Sequence, residues 1–181
     1  MITTFLFDLD DTLIDSHIYA KIYQPILQMI QKKLGRTISQ IEQKAKAQGL
    51  VKNKAGRWDT GDLCRELGLL PKYYEILEKE IEIVPILRQE IVPLFQEIKK
   101  KRKNIGITSN SMQQTARMYL KRYQLEKYVS FIYSSEDAGC PKGKESYWKQ
   151  LTEKHQLIPA QCLVVGDNKK SQSQQSYGVF N

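Results

Sequence analysis

The sequence predicts an α/β protein: a parallel sheet with helices on its faces and a small helical bundle inserted after the first strand. Three observations predict it. Short, largely apolar runs at residues 2–7, 105–108, 129–133 and 162–165 have the length and character of strands buried in a parallel sheet. Helical patterns over residues 93–102, 112–123 and 146–155 precede and separate the last three runs, as βα units require. The stretch between the first and second runs, residues 17–84, is too long for one crossover and reads as helical.

Within that stretch, Ile18, Ile22, Tyr23, Ile26, Leu27, Ile30 and Leu34 recur at helical spacing, with Pro25 as an expected kink. A second helix is expected after Ser39, over residues 41–48, and a third over residues 60–67. Pro71 suits the first position of a fourth, which carries Tyr74, Leu77 and Ile81. The expected organisation is a core domain of residues 1–16 and 85–181 with a helical domain of residues 17–84 set into it. No internal repeat is present.

Composition bounds the partners. The chain has 181 residues, 41% hydrophobic and 27% charged, which suits a packed globule rather than a disordered chain. Its net charge of +8 attracts anions, phosphate esters among them. The basic run Lys99-Lys100-Lys101-Arg102-Lys103 stands at a predicted helix end, where the helix dipole favours cations. That reading, and tyrosines placed in helical patterns, disfavour nucleic acid as the partner. Cys64, Cys140 and Cys162 are odd in number and lack a Cys-x-x-Cys pair, so free thiols in a reducing compartment are expected. The first seven residues carry no basic leader, and their apolar run stops at Asp8. A cytoplasmic protein with no membrane partner is the expectation. Oligomeric state leaves no mark.

The chemistry concentrates where the predicted strands end. In Phe7-Asp8-Leu9-Asp10-Asp11-Thr12-Leu13, two carboxylates two residues apart close the first strand. Ligand sites of open α/β sheets lie at such ends, and carboxylates there repel each other unless a cation or proton shares the site. The second strand ends in Thr108-Ser109-Asn110-Ser111. These residues either cap the next helix or hold phosphate oxygens. Lys142 follows the third strand and an Asp-x-Gly turn, with Lys144 as its competitor. The fourth strand delivers Gly166-Asp167 to the same edge.

In these four motifs the chain resembles the haloacid dehalogenase-like superfamily, whose first motif is Asp-x-Asp-x-Thr. The resemblance covers nearly the whole chain. It implies a Rossmann-like core with an inserted four-helix cap, which closes over the site, excludes water and supplies substrate contacts. It implies that Asp8 is the nucleophile and forms an aspartyl-phosphate. Asp10 would protonate the leaving oxygen and then deprotonate water. Thr108 or Ser109, with Asn110 and Lys142, would bind the phosphoryl group. Asp8, the main-chain carbonyl of Asp10, and Asp167 would bind Mg²⁺. A carboxylate is a weak nucleophile, so a metal and cations are needed to neutralise the phosphoryl oxygens. The family's dehalogenating members lack the second aspartate, so Asp10 points to phosphoryl chemistry.

Two departures stand out. The usual further aspartate is matched by Gln172, and the chain ends at Val179-Phe180-Asn181 where the family continues through another strand. The expected function is a Mg²⁺-dependent phosphatase acting on a small phosphorylated metabolite. The alternatives are a catalytically weakened relative with a binding or scaffold role, or a basic nucleic-acid-binding protein.

Overall fold

The structure, a computed structural model, describes residues 1–53, 56–85 and 87–167. The expectations for Gln172 and the chain end lie outside the described residues. The chain divides into two compact units, Ser16–Pro85 and the remainder. Among the described residues, no helix is long and apolar enough to cross a membrane.

The first of these units is helical. Helix α1 (His17–Leu34) buries Ile18, Ile22, Ile26, Leu27 and Ile30 along one stripe and runs on through Pro25. It stops at Gly35, whose φ of 60° is the left-handed conformation that glycine tolerates best. Helix α2 (Ile38–Ala47) begins earlier than the apolar pattern suggested. The cause is a capping box: the Thr37 hydroxyl accepts the Gln40 N–H, and the Gln40 side chain accepts the Thr37 N–H. Helix α3 (Thr60–Glu66) starts behind Asp59, whose carboxylate accepts the Asp62 N–H at 2.9 Å. Helix α4 (Leu70–Ile83) carries Pro71 in its first turn and buries Tyr73, Leu77 and Ile81. Tyr73, rather than Tyr74, is thus the buried ring of that pair. Trp58, in the loop before α3, is buried.

The other unit is a four-stranded parallel sheet in the order β3-β2-β1-β4, with β1 Thr4–Asp8, β2 Asn104–Ser109, β3 Phe131–Ser134 and β4 Cys162–Val165. Helices α5 (Ile91–Lys100), α6 (Gln113–Arg122), α7 (Ser135–Ala138) and α8 (Glu145–Lys154) belong to the same unit. This is the Rossmann-like fold. β3 starts later than its apolar run because residues Glu126–Tyr128 form a 3-10 turn that takes the Val129 N–H.

Alternation along β1 sends successive side chains to opposite faces. Phe7 meets Phe95 of α5 with ring centroids 5.0 Å apart. Leu6 joins Tyr133, Tyr147, Trp148, Leu151 and Val164 in a core that α8 covers. Burying each such side chain contributes about 1.5–3 kcal/mol. Gly106 pairs with Phe131 across the sheet, and a Cβ there would lie 2.4 Å from the Phe131 ring. The ring therefore occupies the space of the missing side chain, which fixes β3 against β2.

The register places the site. Asp8 lies opposite Thr108, and Phe7 opposite Val165. β1 is flanked by β2 on one side and β4 on the other, so the strand order reverses beside it. The chain leaving β1, β2 and β4 emerges at one edge, where open α/β sheets bind ligands.

Candidate active site

Asp8 ends β1 with its carboxylate tied at both oxygens. The Leu9 N–H donates to Oδ1 at 2.8 Å, and Lys142 Nζ lies 2.9 Å from Oδ2. Beyond Asp8 the chain turns back sharply. The Leu13 and Ile14 N–H groups both bond to the Leu9 carbonyl. Asp11 takes a φ of 58°, which a short polar side chain tolerates better than most. The Arg88 guanidinium holds the Asp11 carbonyl at 2.8 Å. This turn brings Asp10 back to the edge, where Ser111 Oγ donates to its Oδ2 at 2.7 Å.

The end of β2 is buried and internally bonded. Thr108 and Ser109 are both fully buried. The Thr108 hydroxyl donates to the Phe7 carbonyl at 3.3 Å, and Ser109 Oγ accepts the Ser111 N–H at 2.9 Å. Asn110 Oδ1 accepts the Lys142 N–H at 2.8 Å, while the Ser135 hydroxyl donates to the Asn110 carbonyl at 2.8 Å. Asn110 therefore splices the β2 end to the loop that carries Lys142.

That loop is fixed from behind. Helix α7 opens with a capping box between Ser134 and Asp137, and Gly139 closes it with a φ of 61°. Lys142 then reaches inward. Its ammonium also donates to the Thr108 carbonyl at 3.2 Å and stands 5.9 Å from the centroid of the Trp148 ring. Burial pushes the Lys142 ammonium below its usual range, and the charges of Asp8, Asp167 and Asp10 oppose that push. The cost of burying this cation is fully present below its native value and is relieved as the pH rises toward the ordinary 10.5. Lys144, the other candidate, is exposed at the start of α8.

β4 leads into Gly166 and Asp167. A Cβ on Gly166 would lie 3.2 Å from Asp8 Cβ, so the strand end runs close against Asp8, and a side chain there would press on the Asp8 side chain. The Asp167 N–H donates to Thr12 Oγ1 at 3.1 Å, which ties the β4 end to the turn after β1. The edge thus gathers Asp8, Asp10, Ser109, Asn110, Lys142 and Asp167. Ser111, Thr12, Arg88 and Trp148 were given no role by sequence reasoning. Ser111 and Thr12 sit inside motifs already singled out; nothing in the sequence pointed to Arg88 or Trp148.

Among the described residues, no three His, Cys, Asp or Glu side chains gather as a metal cage. The acids that act on the Lys142 ammonium, Asp8, Asp10 and Asp167, nevertheless offer the oxygen donors that a hard cation takes. The tight passage of Gly166 beside Asp8 brings the two strand ends together, and Asp8, Asp10 and Asp167 all act on one ammonium. The residues fit Mg²⁺.

Several solved structures share the fold. A HAD-superfamily hydrolase of subfamily IA from Geobacter sulfurreducens is 16% identical, with a TM-score of 0.65 over 97% of this chain and 85% of that one. YfnB from Bacillus subtilis, described as a HAD-hydrolase and bound to magnesium, is 21% identical, with a TM-score of 0.60 over 96% and 84%. CbbY from Rhodobacter sphaeroides, in complex with xylulose-(1,5)bisphosphate, is 13% identical, with a TM-score of 0.68 over 100% and 84%. No curated protein matches the chain by sequence. The haloacid dehalogenase-like hydrolase family matches residues 5–177, and the chain belongs to that family of enzymes.

Proposed function

We propose that the protein is a Mg²⁺-dependent phosphatase that hydrolyses a small phosphomonoester through an aspartyl-phosphate on Asp8. The observation that carries this reading is the Asp8–Lys142 pair, 2.9 Å apart and nearly buried at the C-terminal end of the central strand. A carboxylate held beside a desolvated cation is placed to meet an anionic phosphoryl group, whose charge the same cation offsets. CbbY, which binds a sugar bisphosphate in its own structure, supports a phosphorylated small molecule as the substrate class.

In the first step, an Asp8 oxygen bonds to phosphorus as the ester P–O bond breaks. The departing oxygen keeps the electron pair and takes the proton of Asp10. In the second, Asp10 takes a proton from water, the water oxygen bonds to phosphorus, and the bond from Asp8 breaks to release phosphate. Ser109, Asn110 and Lys142 hold the phosphoryl oxygens. Thr108 is left out of that set because its buried hydroxyl is already spent on the Phe7 carbonyl. Asp8, the Asp10 carbonyl and Asp167 would hold Mg²⁺, which when bound neutralises the phosphoryl oxygens and fixes their approach. Residues 17–84 are assigned as the cap domain, and residues 1–16 with 85–181 as the core domain.

The test is hydrolysis of 4-nitrophenyl phosphate with and without Mg²⁺, followed by a panel of phosphorylated metabolites. Activity is expected only with the metal, and Asp8→Asn should abolish it while the protein still melts cooperatively. Equal turnover by wild type and Asp8→Asn would sink the reading.

A further inference from the structure

Asp10 and Ser111 lie on chain segments that leave different strands, yet Ser111 Oγ donates to Asp10 Oδ2 at 2.7 Å. A serine at the start of a helix ordinarily uses its oxygen to cap it. Ser111 does not. Helix α6 has no side-chain cap from its N-cap residue Met112, and the Gln113 N–H at its start is taken by the Glu136 carboxylate at 2.8 Å. The Ser111 hydroxyl is thereby released from the helix and spends its proton on Asp10. Its own backbone is fixed, because the Ser111 N–H is held by Ser109 Oγ at 2.9 Å. A carboxylate on a tight turn has two side-chain torsions through which it can swing, and this contact pins one of its oxygens.

We propose that Ser111 is a positioning residue, orienting Asp10 so that its other oxygen faces the departing ester oxygen. The proposal rests on the phosphatase reading above and adds a specific part to it. Proton delivery to a leaving group requires the acid within hydrogen-bond reach of it. Loss of the Ser111 contact therefore leaves Asp10 present but less often aimed. The penalty falls on esters whose leaving oxygen needs the proton.

The experiment compares phenyl phosphate, whose leaving phenol has a pKa of roughly 10 like that of tyrosine, with the activated 4-nitrophenyl ester. Single-turnover rates are measured at saturating Mg²⁺. Ser111→Ala is expected to slow the phenyl ester roughly 10-fold and the nitrophenyl ester less than about 3-fold, the scale of one hydrogen bond to a charged group. KM and melting temperature should stay close to wild type. Ser111→Thr, which keeps the hydroxyl, should restore the phenyl rate. In an Asp10→Asn background, Ser111→Ala should add little, because the group it orients is gone. Equal slowing of both esters, or a full additive loss in the Asp10→Asn background, overturns the positioning role and leaves the phosphatase reading standing. Undiminished hydrolysis by Asp8→Asn overturns both.

Discussion

Lys142 and Asp8 stand 2.9 Å apart at the end of β1, with side chains 4% and 16% exposed. At the end of α5, Lys100 and Glu97 are closer, 2.6 Å, but 71% and 57% exposed. Distance alone would rank the second pair as the stronger. Burial reverses that order. The exposed pair is screened by water and salt and must hold two long side chains in one geometry, so such pairs contribute little. The buried pair has been taken out of water, and neither partner can lose the other cheaply. The first pair lies at the proposed site and the second at a solvated helix end.

A third pair lies between them. Lys154 Nζ is 2.9 Å from Asp137 Oδ1, with the lysine 52% exposed and the carboxylate 14%. Burial works to raise the Asp137 pKa, but the Lys154 contact and the Ser134 N–H and hydroxyl outweigh it and hold the carboxyl below the usual 3.8. The three pairs form a series, and removing one partner from each tests the ranking.

Lys142→Met should have the largest effect. It leaves the Asp8 carboxylate without its cation and removes the positive charge that meets the phosphoryl group. Turnover of 4-nitrophenyl phosphate should fall roughly 10²–10³-fold, as when one preorganised donor is lost. Arginine should not rescue it, since a planar fork does not fit a lysine's buried slot. A Lys142→Met enzyme with near-normal turnover would break the comparison at its strongest point.

Asp137→Asn should come next, as a loss of stability rather than of chemistry. It weakens the capping box of α7 and the Lys154 contact together, at a cost of about 1 kcal/mol, read from urea unfolding at neutral pH. The sign with pH follows from the lowered pKa. The Asp137 contribution is complete above the ordinary 3.8 and is lost as the pH falls through the lower native value. Wild type and Asp137→Asn should therefore converge in acid. A difference that persists at the lowest pH at which both remain folded would assign the effect to something other than this carboxylate.

Lys100→Ala should do least. Its partner Glu97 is lowered in pKa by the Lys100 hydrogen bond, but both side chains lie in solvent. No change in melting temperature is expected, in low salt or high. A clear salt-dependent loss would show that the basic end of α5 is more than a solvated helix terminus.

How much of this was legible varied with the physics involved. The strand ends and their acids were, because a short apolar run that halts at Asp8 or Gly166-Asp167 has few other uses in a buried sheet. The longer helices were too, within a few residues, since periodicity marks the buried stripe; the four-residue α7, read as part of an Asp-x-Gly turn, was not. Their starts were less so: α2 begins where Thr37 and Gln40 exchange hydrogen bonds, not where the apolar pattern begins. Lys142 and Lys144 are chemically alike as letters; the resemblance favoured Lys142, and burial beside Asp8 sets it apart from the exposed Lys144. The same holds for Thr108 and Ser109, told apart by which carbonyl or N–H each hydroxyl meets. The cysteines were read as free thiols, and they are unpaired in the structure. Burial raises Cys64 to about 12 and Cys162 to about 11.

The sequence by itself determined the α/β class, the helical insertion and the types of group available for chemistry, because local patterning and the spacing of acids are properties of the chain. Tertiary structure decided which of those groups work together. The strand order puts β1 between β2 and β4, so residues about a hundred positions apart share one edge. Contacts such as Ser111 to Asp10, Asn110 to the Lys142 backbone, and Asp167 to Thr12 exist only there. Hydrogen bonds and desolvation depend on distance and burial in three dimensions, and neither quantity is written in the order of residues along the chain.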